Sequence, residues 1–332
     1  TVMNEMPGKA QSKQRAGMFH YMANAAESSL FRNGKVLTRR DIDGSDGGRQ
    51  GVDLERQEMS IADARAASPG KRPTLDGNGF ELLDAPVASP SLDFFNNSQV
   101  LGQYYPACAE IIKQATGAKT VAAFDHNIRS ASGKQSKRRI DGGQQVQGPA
   151  HVVHGDYTLT SAPERMRQLA LPPGINDTVR PLLGDGETLL DGEEVAAALA
   201  DGRFAIINLW RNIVEQPVQV NPLALCDAKT VLPQDLVVFE IHYADRIGEN
   251  YFAKHSAGHQ WHYYPQMVHE EALLIKQWDS AGDLARTDGA NGDASQGDAP
   301  CTFSFHSAFE DPSTPDDAPD RWSMEVRCAV IY

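Results

Sequence analysis

His154-Gly155-Asp156, with a lone His306 far downstream and Arg327 beyond it, is the set of residues whose types and spacing can do chemistry. A His-x-Asp pair plus a distal histidine offers two imidazoles and one carboxylate to one face of a metal ion. Such a set leaves positions open for substrate and oxygen, as non-haem Fe(II) oxygenases require. On an extended segment residues i and i+2 point to the same side, so His154 and Asp156 can aim inward together while Gly155 and Tyr157 face away. The preceding Ala150-His151-Val152-Val153 suits a strand entering a site, and Gly155 leaves room for a ligand to approach closely. The competing reading is a strand-end histidine and aspartate that share a hydrogen bond.

Two other histidine groups compete for the role. His269-Glu270-Glu271 is also a His-x-acid, but it lies in a helix-like stretch where i and i+2 do not share a face. His255, His259 and His262 crowd one segment, yet Gly258, Trp261, Tyr263 and Tyr264 favour an extended run. The odd spacing from His259 to His262 then keeps all three from facing one way. His259 alone can line a pocket, and it stands in reserve for His306 as distal ligand. His306 closes the alternating run Phe303-Ser304-Phe305-His306, where a packed histidine is the plain alternative. On the last strand Glu325, Arg327, Ala329 and Ile331 share one side. A charge facing a barrel interior is costly unless an anion pairs with it. A dicarboxylic cosubstrate would supply that anion to a planar guanidinium; a salt bridge to Glu325 or Asp311 would do so as well.

The elements that must position these groups are mostly strands. Strand patterns run through Val121–Phe124, FAIINLWRNI from Phe204, DLVVFEIHY, QWHYYP and Ser323–Tyr332. Tyr104–Gly117 has helical spacing, with Pro106 near its start and Gly117 to close it. Ala162–Leu169, Glu193–Ala200 and Met267–Trp278 also have helical spacing. Gly44–Gly51 looks like a flexible link, Gly282–Pro300 a surface excursion, and Ser130–Gly148 a long polar loop placed where a lid would be. The fold class expected is mainly β with flanking helices: a jelly roll, preceded by an N-terminal extension over residues 1–102 that packs on the core domain 103–332, the two forming one structural unit.

Composition narrows the partners. With 41% hydrophobic residues, 23% charged residues and a net charge of -13, the 332-residue chain is an ordinary globular protein without the basic surface nucleic acid needs. Cys108, Cys226, Cys301 and Cys328 lack paired spacing and suit reduced thiols. No apolar stretch reaches membrane-spanning length, and Thr1–Arg15 lacks the apolar core of a secretory signal, so a cytoplasmic address is expected.

Several blocks, taken in order, resemble the fungal AsaB-type hydroxylase/desaturase family, with its gibberellin desaturase-like members and relatives of the cephalosporin 7-methoxylase J subunit. They are FDHNIR (124–129), VHGDYT (153–158), INLWRNI (207–213), PLALCDAKTV (222–231), HQWHYYPQM (259–267) and EALLIKQWDS (271–280), then FHSAFEDPSTPDDAP and SMEVRCAVIY at the C-terminus. The resemblance spans roughly Gln103 to Tyr332. It implies a double-stranded β-helix, cupin-like, that uses Fe(II) and 2-oxoglutarate with O2 to hydroxylate, desaturate or cyclise a small molecule in secondary metabolism. By the same resemblance His154, Asp156 and His306 become iron ligands, and Arg327 anchors the distal carboxylate of 2-oxoglutarate, with Arg321 as a second anion contact. Trp210 and Arg211 become pocket residues near the cosubstrate. Arg129, His259, His262 and Tyr157 are candidate substrate contacts, and the basic ones favour an acid or amino acid. His262 departs from the aromatic residue usual in the family, and the His306-to-Arg327 spacing is longer than in many such enzymes. A zinc hydrolase on the same three ligands is the rival enzyme class. A binding subunit that keeps the fold without the chemistry is the rival outside catalysis.

Overall fold

Alternating and continuous apolar runs shape the chain into strands that close over one another as two facing sheets. The computed structural model describes residues 15–41, 45–294 and 297–332, so the stretch from Thr1 to Gln14 read above for a leader lies outside the described residues, as does Gly44. The strands are β1 (Arg15–Met22), β2 (Leu37–Arg40), β3 (Asp46–Gln50), β4 (Leu54–Asp63), β5 (Phe80–Asp84), β6 (Thr120–Arg129), β7 (His154–Gly155) and β8 (Phe204–Asn212). They continue as β9 (Leu223–Cys226), β10 (Leu236–His242), β11 (Ile247–Ala253), β12 (Trp261–Tyr263), β13 (Glu271–Asp279), β14 (His306–Ala308) and β15 (Ser323–Ile331). The larger sheet is ordered β1-β4-β12-β9-β14-β7-β11-β10-β2-β3, and the smaller β5-β13-β8-β15-β6. This mainly β architecture with few helices is the expected jelly roll.

Strand β8 is buried along its whole length. One of its faces meets the larger sheet; the other lies under the helix Tyr105–Thr116, which also crosses β6 and β15. That helix has Pro106 in its first turn and ends at Gly117, whose φ of 69° lets its N–H reach the Lys113 carbonyl. Helices Ser161–Leu169 and Gly192–Ala200 also form where the spacing placed them, the second capped by Asp191 on the N–H groups of Glu193 and Glu194.

Several segments depart from the sequence reading. Met267–Trp278 is not a helix: Glu271–Asp279 is strand β13, held between β5 and β8. The run Ala272-Leu273-Leu274-Ile275 is apolar on every side, so its spacing fits a strand buried on both faces as well as a helix. His269-Glu270-Glu271 is still no metal pair, because both Glu271 oxygens accept from Arg65 at 2.7 Å. Most of Gly44–Gly51 is the exposed strand β3 paired with β2 rather than a link. Described strands between residues 15 and 84 supply both edges of the larger sheet and β5 of the smaller, so this part of the expected extension is woven into the sheets. Within 282–300, Leu284 and Asp293 are buried, and Asp293 accepts from the Thr302 N–H and hydroxyl; residues 295 and 296 lie outside the described residues. All four cysteines are free and buried, and no helix among the described residues is long and apolar enough to cross a membrane.

Candidate metal centre

The centre forms where the two-residue strand β7 is caught between β11 and β14. His154 stands directly opposite His306 in that ladder, so the two imidazoles emerge on one face with their ring centroids 4.4 Å apart. Asp156, two residues on from His154, brings Oδ1 to 3.5 Å from His154 Nε2 and 3.7 Å from His306 Nε2. These separations are too long for good hydrogen bonds, and the three donor atoms lie within 4.8 Å of one another. Three atoms each about 2.1 Å from a common ion would stand roughly 3–4 Å apart. The donor set therefore fits a metal ion better than it fits itself.

Protonation agrees with that use. The His154 Nδ1–H donates to the Val152 carbonyl at 2.7 Å, which leaves the Nε2 lone pair free. Burial first, and then the neighbouring His306, pulls His154 down to about 4, so the ring is neutral near neutral pH. Burial alone would raise the Asp156 carboxyl. Arg327, His306, His154 and Asn208 outweigh it and hold Asp156 well below the usual carboxylate range.

Gly155 is required by space. A Cβ there would come within 2.9 Å of two Phe303 ring carbons, and Phe303 is buried. Gly155→Ala is expected to cost about 1–3 kcal/mol through overpacking and to weaken metal binding by shifting both flanking ligands. Urea unfolding alongside Co(II) titration measures both effects.

The smaller sheet reaches Asp156 from three strands. Asn208 Nδ2 and Arg327 Nε donate to its Oδ2 at 3.0 and 3.3 Å, and its backbone N–H donates to Gln277 Oε1 at 3.0 Å. Arg327 is further engaged by Asp125 at 3.2 Å and Glu325 at 2.9 Å. Burial opposes its charge, but Glu325, Asp156 and Asp125 more than offset it and raise the guanidinium well above its ordinary value. Of the two salt-bridge partners named from sequence, Glu325 is the real one, whereas Asp311 pairs with Arg15.

Arg321 is in the opposite condition. It is 2% exposed and lines a small cavity with His154, His306, Arg129, Glu325 and Trp210. Its Nη1 donates to the Asn221 carbonyl, while its Nε has no partner. Burial, then the charge of Arg129, pushes it down to about 9, against the opposing pull of Glu325 and Asp320. The Ser323 hydroxyl, two residues on, is also buried without a partner. The cavity measures only about 20 Å3, room for one water molecule or so. A larger cavity of about 250 Å3, bounded by Arg65, Arg72, Leu82 and Tyr264, contains none of the three donors.

The remaining residues named from sequence divide clearly. Trp210 reaches the cavity, but Arg211 beside it does not, because neighbours on a strand point to opposite faces. Arg211 instead donates to the Tyr104 hydroxyl and to the carbonyls of Ala85 and His269 under the helical layer. His259 is no distal ligand: its ring bridges the Tyr21 hydroxyl and Asp235, each at 3.0 Å. His262 packs on Phe80 and is absent from the cavity wall. Tyr157 is half-buried against the core and outside the cavity, while Arg129 lines it and donates to the Gly148 carbonyl. Asn208, Gln277, Asp125 and Ser323 escaped the sequence reading. Asn208 did leave a signal, as a polar residue inside the apolar run of β8, two positions before Trp210.

Comparison with known proteins agrees with this geometry. A family model described as an oxidoreductase/YMDC permease-like domain matches residues 19–184 and 187–331. A protein encoded in the dcmA 3' region of Methylophilus leisingeri is 45% identical over 195 residues, which cover 58% of this chain and 88% of that one. The alpha-ketoglutarate-dependent dioxygenase phiK of a fungal species is 30% identical over 290 residues, 86% of this chain and 87% of its own. The hydroxylase/desaturase poxK of Penicillium oxalicum is 28% identical over 271 residues, covering 75% and 71%. Among solved structures, the iron and alpha-ketoglutarate-dependent endoperoxidase NvfI superposes with a TM-score of 0.70 at 23% identity, covering 96% of this chain and 98% of that chain, a likeness of fold.

Proposed function

This chain belongs to the family of Fe(II)/2-oxoglutarate-dependent dioxygenases that includes fungal hydroxylase/desaturases, and from that premise we propose how its residues divide the work. It is an oxygenase that takes Fe(II), 2-oxoglutarate, O2 and a small molecule. The observation that carries the reading is the convergence of His154, Asp156 and His306 on one point beside a cavity lined by Arg321, whose Nε has no partner. His154 Nε2, His306 Nε2 and Asp156 Oδ1 hold the iron. When bound, the iron and 2-oxoglutarate supply, through decarboxylation to succinate, the oxidant that removes hydrogen from the substrate.

Arg321 binds the distal carboxylate of 2-oxoglutarate. Support comes from its place in the cavity wall and its partnerless Nε, which an incoming carboxylate would satisfy. Arg327 does not take that role, because its guanidinium is spent on Asp156, Asp125 and Glu325. Trp210 forms an apolar wall that keeps water from the reacting centre. Arg129 is the group a substrate carboxylate would meet, which favours an acid or amino acid as substrate. The buried free thiols favour a reducing, cytoplasmic address.

A cavity of about 20 Å3 admits no substrate unless something moves. The segment from Ser130 to Gly148 is the candidate lid. It is latched by the hydroxyls of Ser130 and Ser132 on Asp320, and by Arg138 stacked 4.2 Å from the Phe95 ring and 5.3 Å from that of Trp322. Asp320→Ala is expected to unlatch it and raise succinate formation in the absence of substrate several-fold; an unchanged uncoupled rate would count against the lid. The whole reading is tested by O2-dependent conversion of 2-oxoglutarate to succinate by Fe(II)-loaded protein. Turnover with Zn(II) on ester or amide substrates, and none with Fe(II), would move the assignment to a hydrolase.

A further inference from the structure

A carboxylate ligand has two oxygens, and here they have different surroundings. Oδ1 of Asp156 faces the two imidazoles, while Oδ2 accepts from Asn208 Nδ2 and Arg327 Nε. Asn208 is fully buried, and its own Oδ1 has no partner. Its amide is therefore only half satisfied, and the bond it does make is the one to Asp156. Arg327 is fixed in turn by Asp125 on β6 and Glu325 on its own strand, so it cannot follow Asp156 if the carboxylate turns. Gln277 holds the backbone N–H of the same residue from β13. Four strands of the smaller sheet thus act on one ligand carried by the larger sheet.

We propose that Asn208 and Arg327 are positioning residues that restrict Asp156 to one-oxygen coordination by occupying Oδ2. The inference rests on the assignment of Asp156 as a metal ligand given above. Its consequence concerns the count of open positions. An octahedral ion with three protein atoms keeps about three positions for exogenous ligands. 2-Oxoglutarate, binding through two atoms, leaves one of them for O2. If Asp156 bound through both oxygens it would close that last position. The hydrogen bonds to Oδ2 keep it open, which gives β8 and β15 a part in the chemistry although neither supplies a ligand.

The test uses Mn(II) alone, without 2-oxoglutarate, so that it does not depend on where the cosubstrate binds. Water-proton relaxation counts the exchangeable waters on bound Mn(II). Wild-type protein is expected to hold about three. Asn208→Leu, which keeps the volume and removes the donor, and Arg327→Gln are each expected to hold one fewer, as Oδ2 swings onto the ion. Arg327→Gln leaves buried acids unpaired and can unfold; Asn208→Leu does not share that risk and decides the matter alone. The same water count in wild type and Asn208→Leu, with Mn(II) bound in both, would overturn the positioning role and leave the metal assignment standing. Failure of the wild type to bind Mn(II) would overturn both.

Discussion

Replacing His306 with alanine is expected to weaken Fe(II) or Co(II) binding by more than about 100-fold and to end succinate formation. Loss of a residue that merely orients a ligand costs about 10–100-fold in metal affinity, so loss of a ligand itself must exceed that. The fold should survive the change. His306 is buried, but its Nδ1 makes no hydrogen bond, and its ring packs against that of His154. His259→Ala, by contrast, should leave metal affinity unchanged and lower stability, since it breaks the buried network from Tyr21 to Asp235. The pair separates the distal ligand from its rival. Equal metal affinity in wild type and His306→Ala would rule out the assigned centre.

Arg321→Gln is expected to raise the 2-oxoglutarate KM by about 100-fold or more while Co(II) affinity stays within a few-fold. Truncating one partner of a buried, hydrogen-bonded charge pair costs about 2–5 kcal/mol. The signs of the stability changes make the prediction sharper. In the absence of cosubstrate Arg321 is a buried cation whose pKa is pushed below its ordinary value, so its charge opposes folding at any pH below about 9. Arg321→Gln should therefore leave the apo-protein as stable as wild type or more so. Arg327→Gln should do the reverse, costing about 3–5 kcal/mol because Asp125, Glu325 and Asp156 lose their common partner. If instead Arg327→Gln abolishes 2-oxoglutarate binding in a folded protein and Arg321→Gln does not, the cosubstrate anchor is Arg327, as the family resemblance implied.

The two arginines illustrate what the sequence carried and what it did not. The His154-x-Asp156 pair was legible because the i, i+2 rule needs only local extension, and the strand supplies it. Likewise, Arg327 was legible as an inward-facing charge on the last strand. Its neighbour Glu325 was legible as a partner too, but Asp125 was not, because it meets Arg327 only through the pairing of β15 with β6, about two hundred residues apart in the chain. Arg211 is different: adjacent strand residues cannot both face one cavity, so naming it together with Trp210 already conflicted with strand geometry. Strand β13 was hidden by its own burial. A run that is apolar on both faces has no period to read, and Lys276, which looks like a solvent-facing residue, is fully buried on Asp279 and Asp76. The first hundred residues read as an extension because the place of their strands in the sheets is set by partners far along the chain, such as the parallel pairings of β4 with β12 and β2 with β10.

The central claim is that His154, Asp156 and His306 hold iron beside a cavity built for 2-oxoglutarate. Anaerobic titration of the apo-protein with Fe(II) and then 2-oxoglutarate tests it most directly, through the visible metal-to-ligand charge-transfer band. A band that needs both additions, vanishes in His306→Ala, and requires far more 2-oxoglutarate in Arg321→Gln is the result expected. No band in the wild type, with zinc bound tightly in place of iron, would contradict it.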